Sequence, residues 1–274
     1  MSRVYDALRR MEKEQGHAAP SPIPQPAQPL GAPAVGQTEL DGVTSVKVNL
    51  TPSSRLVALS QPRSLGAEKF RALVTRLENL CLQNEIRSLQ ITSAGMNQGK
   101  SLVAANLAVT FAKRSGSKVL LLEGDFYRPS LASLLGLKNS LGITHWWREQ
   151  SPDIARFLCQ LNDMPLWFLG AGGVHEQPSQ ILQSARFAET FNRLAATFDW
   201  IVVDSTPMLP VADANLWSRL VDGTVLVVRE GVTSVKSLRE GLEGMDDLKL
   251  VGTVLNEVSA SEHSGSADSY YYGA

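Results

Sequence analysis

The chain has 274 residues, 43 % of them apolar and 19 % charged, with a net charge of −1. That balance suits a globular protein with one sizeable core or two small ones, and it argues against nucleic acid or a bare membrane surface as partner. No apolar run approaches the roughly 20 residues that cross a bilayer, no signal peptide is visible, and Cys81 and Cys159 stand in no metal or redox spacing, so a cytoplasmic protein with reduced thiols is expected.

In chain order, residues 1–15 hold a helix, with Val4, Leu8 and Met11 at i, i+4 and i+7. It either docks on another protein or packs on its own domain. Residues 16–61 are expected as a mobile linker: Pro20, Pro22, Pro24, Pro26, Pro29 and Pro33 fall close together. Such a segment cannot bury enough apolar surface to offset its ordering entropy. A domain is expected over 62–258, opening on a helix with Leu65, Phe70, Leu73, Leu77 and Leu80 at helical spacing. Glu68 and Arg71 are i,i+3 neighbours on it.

Ile86 to Ile91 alternates like a short strand, and Leu102, Val103, Ala105, Leu107, Ala108 and Phe111 fit a helix. The small-residue loop between them ends in Gly99-Lys100-Ser101, the context of a phosphate-binding P-loop. Gly95, Met96, Asn97, Gln98, Gly99, Lys100, Ser101 and Leu102 are the expected ATP and phosphate contacts. Lys100 would reach the β- and γ-phosphates and Ser101 would ligate Mg²⁺. The motif places its first glycine at position 94, where this chain has Ala94.

A continuous apolar run, Val119 to Leu122, reads as a buried parallel strand that ends in Glu123-Gly124-Asp125. Ligands of open α/β sheets bind at such carboxyl ends. Residues 130–165 resist ordering beyond a short helix near Leu131 to Leu135 and a core placement for Trp146 and Trp147. Leu166 to Leu169 reads as a strand, and about 179–197 as one helix. Trp200 to Asp204 is a β-branched run ending in an acid, a Walker B pattern in which Asp204 holds Mg²⁺ through a water. Strands at 223–229 and 249–255 flank a helix at 234–245. Alternating strands and helices predict an α/β, doubly wound, mostly parallel sheet. Residues 259–274 are polar, expected to be flexible, and end with Tyr270, Tyr271 and Tyr272: an accident of the terminus, or a substrate segment that can enter an active site.

Taken together, these segments resemble the bacterial tyrosine kinases, a deviant-Walker P-loop family tied to capsular and exopolysaccharide synthesis. The resemblance rests on Ile91 to Ser101 as Walker A, Leu120 to Pro129 as the second acidic motif, Val202 to Ala214 as Walker B with its loop, and Asp222 to Asn256 as the last two strands. It implies a Mg-ATP-dependent kinase that autophosphorylates Tyr270, Tyr271 and Tyr272 in a ring of subunits, or a kinase-weak ATP-binding switch in the same assembly. Lys100, Glu123, Asp125 and Asp204 would be catalytic, and Ser101, Asp125 and Asp204 would hold the metal. Glu68 and Arg71 would serve oligomerisation. The implied partners are a membrane-embedded polysaccharide co-polymerase as activator and a phosphotyrosine phosphatase, with the protein peripheral to the inner face of the membrane. The chain departs from the family at Asn97 and Gln98, where glycine and an acid are usual, at Glu123 for aspartate, at Tyr127 for arginine and at Val74 for a second arginine.

Overall fold

The computed structural model describes residues 40, 42–50, 55–137, 141–175, 177–209, 213–245 and 248–258. The helix expected over 1–15, the proline cluster and the tyrosine tail lie outside the described residues.

The strands are β1 (Ser45–Val46), β2 (Ser88–Ser93), β3 (Val119–Glu123), β4 (Leu158–Leu161), β5 (Leu166–Leu169), β6 (Trp200–Asp204), β7 (Gly223–Arg229) and β8 (Leu250–Asn256). They form one sheet in the order β1-β4-β5-β3-β6-β2-β7-β8. Neighbours run parallel, except that β4 meets β5 antiparallel. The helices are α1 (Val57–Ser60), α2 (Leu65–Gln83), α3 (Lys100–Ser115), α4 (Leu131–Leu134), α5 (Ile143–Glu149), α6 (Pro178–Leu182), α7 (Ala185–Thr197), α8 (Asp213–Leu220) and α9 (Val235–Glu243). This is the expected doubly wound α/β architecture.

Every residue of β2, β3 and β6 is buried, because helices cover both faces of a central parallel strand. This explains the apolar runs of β3 and β6, while in β2 the buried Gln90 and Thr92 donate to Ser205 and to the Thr206 carbonyl. On one face, Val74 and Leu77 of α2 and Val103, Leu107 and Phe111 of α3 pack against Ile91, Leu121 and Val202. On the other, Phe187, Phe191 and Trp217 of α7 and α8 pack against Leu120, Leu122 and Val203. The connection from β2 runs to β3 on one side, and the connection from β6 crosses β2 to reach β7 on the other. The crevice beyond the carboxyl ends of β2, β3 and β6 is therefore the ligand position of such a sheet.

Three expectations change. The helix expected over 179–197 is two helices, because the Ser184 hydroxyl donates to the Ile181 carbonyl and accepts from Phe187 N–H, ending α6 and capping α7. The unordered stretch 130–165 supplies β4. The linker expected through residue 61 gives way to packed structure earlier. Leu40 is buried, β1 pairs with β4, and Leu56 and Ala58 enter the α3-side core. Asn106 of α3 fixes this leading segment, accepting from Ala58 N–H at 3.0 Å and donating to the Arg55 carbonyl at 3.2 Å. Leu56 and Ala58, both buried, supply the apolar burial of this leading segment.

Candidate active site

The sheet register sets the chemistry. Glu123 pairs with Asp204 across β3 and β6, and Ile91 pairs with Asp204 across β2 and β6. Alternation then turns Glu123 and Asp204 to the same face as Leu121 and Val202, the face that carries α3. The P-loop follows β2 and turns into α3 through Asn97, at φ +59°, and Gly99, at φ +92°. Both sit in the left-handed region, which Asn tolerates better than most residues and glycine adopts freely. No side chain caps the start of α3, so its first N–H groups remain for an anion. Ala94, at the motif's usual glycine, is fully buried beside Met208, Leu226 and Val228, so its methyl serves the core rather than the phosphate turn.

A cleft of about 790 Å³ opens on this loop, lined by Met96, Asn97, Gly99, Lys100, Ser101 and Leu102 on one side and by Asp125, Tyr127, Ser130, Thr206 and Pro207 on the others. Lys100 Nζ lies 3.2 Å from Asp125 Oδ2. Asp125 Oδ1 accepts from Arg128 N–H at 2.9 Å, which holds the acidic turn in shape. The Ser130 hydroxyl donates to Ser101 Oγ at 3.0 Å. Burial, with Asp213 and Asp125 nearby, pushes the Tyr127 phenol above its usual range and keeps it protonated.

Asp204 sits behind the cleft, fully buried, and neither carboxylate oxygen has a hydrogen-bond partner. Burial pushes its carboxyl up to about 7, against the pull of the Lys100 ammonium and the Ser101 hydroxyl, with Asp125 and Glu123 adding repulsion. An orphaned carboxylate beside a serine hydroxyl and a second carboxylate is the donor set that suits Mg²⁺, which keeps waters and takes few protein ligands. Among the described residues no group of three or more His, Cys, Asp or Glu side chains could hold a metal ion.

Glu123 is placed differently. Its Oε1 accepts from Leu131 N–H at 2.6 Å and weakly from Ala132 N–H, and its Oε2 accepts from Ala171 N–H at 3.1 Å. It does not line the main cleft but a neighbouring cavity of about 520 Å³ with His145 and Gly172. Burial raises its carboxyl, and the backbone donors oppose that rise. Its extra methylene, relative to aspartate, carries the carboxylate to the start of α4. Gly124 is required between the two acids: a Cβ there would lie 2.8 Å from the Trp217 indole, whose Nε1 donates to the Gly124 carbonyl.

Glu68 is exposed and Arg71 half-buried on α2, paired with each other away from the cleft, and Arg71 also donates to the Pro62 carbonyl at 2.9 Å. Sequence reasoning did not single out Asp213, whose Oδ2 is buried without a partner at the start of α8. Nor did it single out Arg229 and Asn256, which reach the P-loop from the ends of β7 and β8, or Glu257, which pairs with Arg229. Their one local signal is position, at the carboxyl ends of strands in a parallel sheet.

No protein-family model matches the chain. The tyrosine-protein kinase YwqD of Bacillus subtilis (strain 168) is 32 % identical over 220 residues, covering 80 % of this chain and 91 % of that one. The succinoglycan biosynthesis transport protein ExoP of Rhizobium meliloti (strain 1021) is 31 % identical over 225 residues, 77 % of this chain but 28 % of its own length. Among solved structures, the chimerical protein CapA2B2 superposes with a TM-score of 0.69 at 27 % identity, covering 81 % of this chain and 96 % of that one. With its nucleotide loop, acidic turn and orphaned aspartate gathered around one cleft, and with kin of this closeness along most of its length, the chain belongs to the bacterial tyrosine kinases, a family of phosphotransferases.

Proposed function

We propose that this chain uses Mg-ATP to phosphorylate Tyr270, Tyr271 and Tyr272 of its own kind, and through that modification regulates polymerisation and export of a capsular or exopolysaccharide. The observation that carries the reading is the buried, partnerless Asp204 carboxylate behind a cleft that also presents Lys100, Ser101 and Asp125. The first N–H groups of α3 and the loop bind the phosphates, and Lys100 offsets the charge that gathers on the transferred group. Ser101 and Asp204 would hold Mg²⁺, with Asp125 assisting from across the cleft, and the metal would supply charge neutralisation at the phosphates. A tyrosine Oη forms its bond to the γ-phosphorus as the bond to the bridging oxygen of ADP breaks. The phenolic proton passes to Asp125, the carboxylate that lines the cleft. Glu123 acts one step back, fixing the 130–132 turn that brings Ser130 to Ser101.

The proposed activator is a membrane-embedded polysaccharide co-polymerase, consistent with the greater length of ExoP. A ring of subunits joined through Glu68 and Arg71, a phosphotyrosine phosphatase that resets the tail, and a place at the inner face of the membrane complete the proposal. Among the described residues no helix is long and apolar enough to cross a membrane.

The test is incubation of the full chain with Mg-ATP and the cytoplasmic part of the activator, followed by mass spectrometry of the terminal peptide. Phosphate on Tyr270, Tyr271 or Tyr272 that disappears with Lys100→Ala is the expected result. Bound nucleotide with an unmodified terminal peptide would favour a second reading, a nucleotide switch with weak transfer, for which the occupied carboxylate oxygens of Glu123 speak.

A further inference from the structure

We infer that Arg229 and Asn256 are positioning residues for the nucleotide, acting through the peptide planes of the phosphate loop rather than on the phosphates. Arg229 Nη1 donates to the Asn97 carbonyl at 3.0 Å, and Asn256 Nδ2 donates to the Gln98 carbonyl at 3.0 Å. Neither side chain lines the cleft, whereas Asn97, Gly99 and Lys100 do, so both lie behind the loop.

A trans peptide unit is planar, and its C=O and N–H point in opposite directions. Holding the Asn97 oxygen backward therefore turns the Gln98 N–H forward, and holding the Gln98 oxygen backward turns the Gly99 N–H forward. These two N–H groups belong to the stretch that must face phosphate oxygens. The control is needed because Asn97 and Gly99, on either side of Gln98, both have positive φ. A loop with that backbone can reverse a peptide plane at little cost, and a reversed plane presents a carbonyl oxygen to an anion.

The holding groups are themselves held. The Arg229 guanidinium also pairs with Glu257, and the other oxygen of Glu257 takes Arg55 Nη1 at 2.8 Å. The Arg229 backbone N–H donates to the Thr233 hydroxyl at 2.9 Å. Asn256 presses directly on Gly99, where a Cβ would fall 2.1 Å from Nδ2. Gln98 completes the support: with its amide nitrogen turned to the Val227 carbonyl at 3.2 Å, its amide oxygen faces Gly95 N–H at 3.3 Å.

The inference rests on reading the cleft as the nucleotide site, and the experiment separates the two. Mg-ATP affinity, KM for ATP, KM for a tyrosine peptide and thermal midpoint are measured on the full chain and on Arg229→Ala, Arg229→Lys, Asn256→Ala and Lys100→Ala. Losing one charge-assisted hydrogen bond that orders the loop is expected to weaken Mg-ATP about tenfold in Arg229→Ala. Arg229→Lys should recover part of that, KM for the peptide should stay put, and the midpoint should move little. Unchanged ATP affinity in both Arg229→Ala and Asn256→Ala, alongside its loss in Lys100→Ala, overturns the inference while leaving the site reading intact. ATP and peptide constants that rise together with a lowered midpoint also overturn it, since that is the pattern of general damage. A wild type that binds no Mg-ATP overturns the site reading itself.

Discussion

Lys100 and Asp125 face each other 3.2 Å apart across the cleft, so the P-loop cation pairs with the acidic turn. Incoming phosphates must draw it off that carboxylate. Asp125→Asn removes both the competitor for the lysine and a repulsive charge, so metal-free ATP should bind several-fold tighter. Mg²⁺-dependent phosphorylation should fall about tenfold or more, since a metal-side charge is lost. Nucleotide titration with and without Mg²⁺, paired with initial rates, checks both halves. Tighter Mg-ATP binding with an unchanged rate would refute the assignment of Asp125.

The raised Asp204 carboxyl makes the metal-free protein sensitive to pH. Its value moves from an ordinary 3.8 to about 7 on burial, so between these limits the folded state holds a proton that the unfolded state has lost. Stability therefore falls as pH rises through this window, by an amount on the order of a few kcal/mol. Thermal midpoints in EDTA should drop from pH 5 to pH 8. Asp204→Asn should flatten that slope and raise the midpoint at pH 8, while abolishing phosphoryl transfer. Adding Mg-ATP at pH 8 should stabilise the wild type and leave Asp204→Asn little changed.

Gly124 is squeezed between Asp125 and the Trp217 ring. Gly124→Ala forces the strand end or the indole to shift, at a cost of about 1–3 kcal/mol. It also displaces Asp125 from Lys100. Intrinsic fluorescence should report an altered Trp217 environment, and the transfer rate should fall while the Lys100→Ala variant retains its native fluorescence.

The leading segment belongs to the folded domain. A chain begun at residue 40 should match the full chain in thermal midpoint. One begun at residue 62 loses β1, Leu56 and Ala58, and burying Leu56 alone accounts for about 1.5–3 kcal/mol. Equal midpoints for the two would show that this segment adds nothing.

Central features were legible because each is local. Leu120 to Leu122 announce a doubly covered strand, and Gly99-Lys100-Ser101 announces a phosphate turn by spacing alone. What stayed hidden depends on distant pairing. β1 has two residues, and β4 carries Cys159 and Gln160 at half-buried positions, so neither shows a periodicity until its neighbour is known. Ser184 reads as one polar residue inside a helical pattern, yet its hydroxyl serves two turns. The family resemblance implies a catalytic acid at Glu123, and its place at a strand end two residues before Asp125 agrees with a ligand-facing carboxylate. Only its contact with Ala171, 48 residues on, shows where the longer side chain goes. Arg229 meets Asn97 across 132 residues, and nothing near either one forecasts that bond.

The ion pair between Arg55 and Glu257 closes the back of the phosphate loop with residues 202 positions apart. Glu257 also pairs with Arg229, and its neighbour Asn256 holds the Gln98 carbonyl. A chain folded only through β7 thus has a nucleotide turn without its backing, and ATP affinity arrives with the final strand.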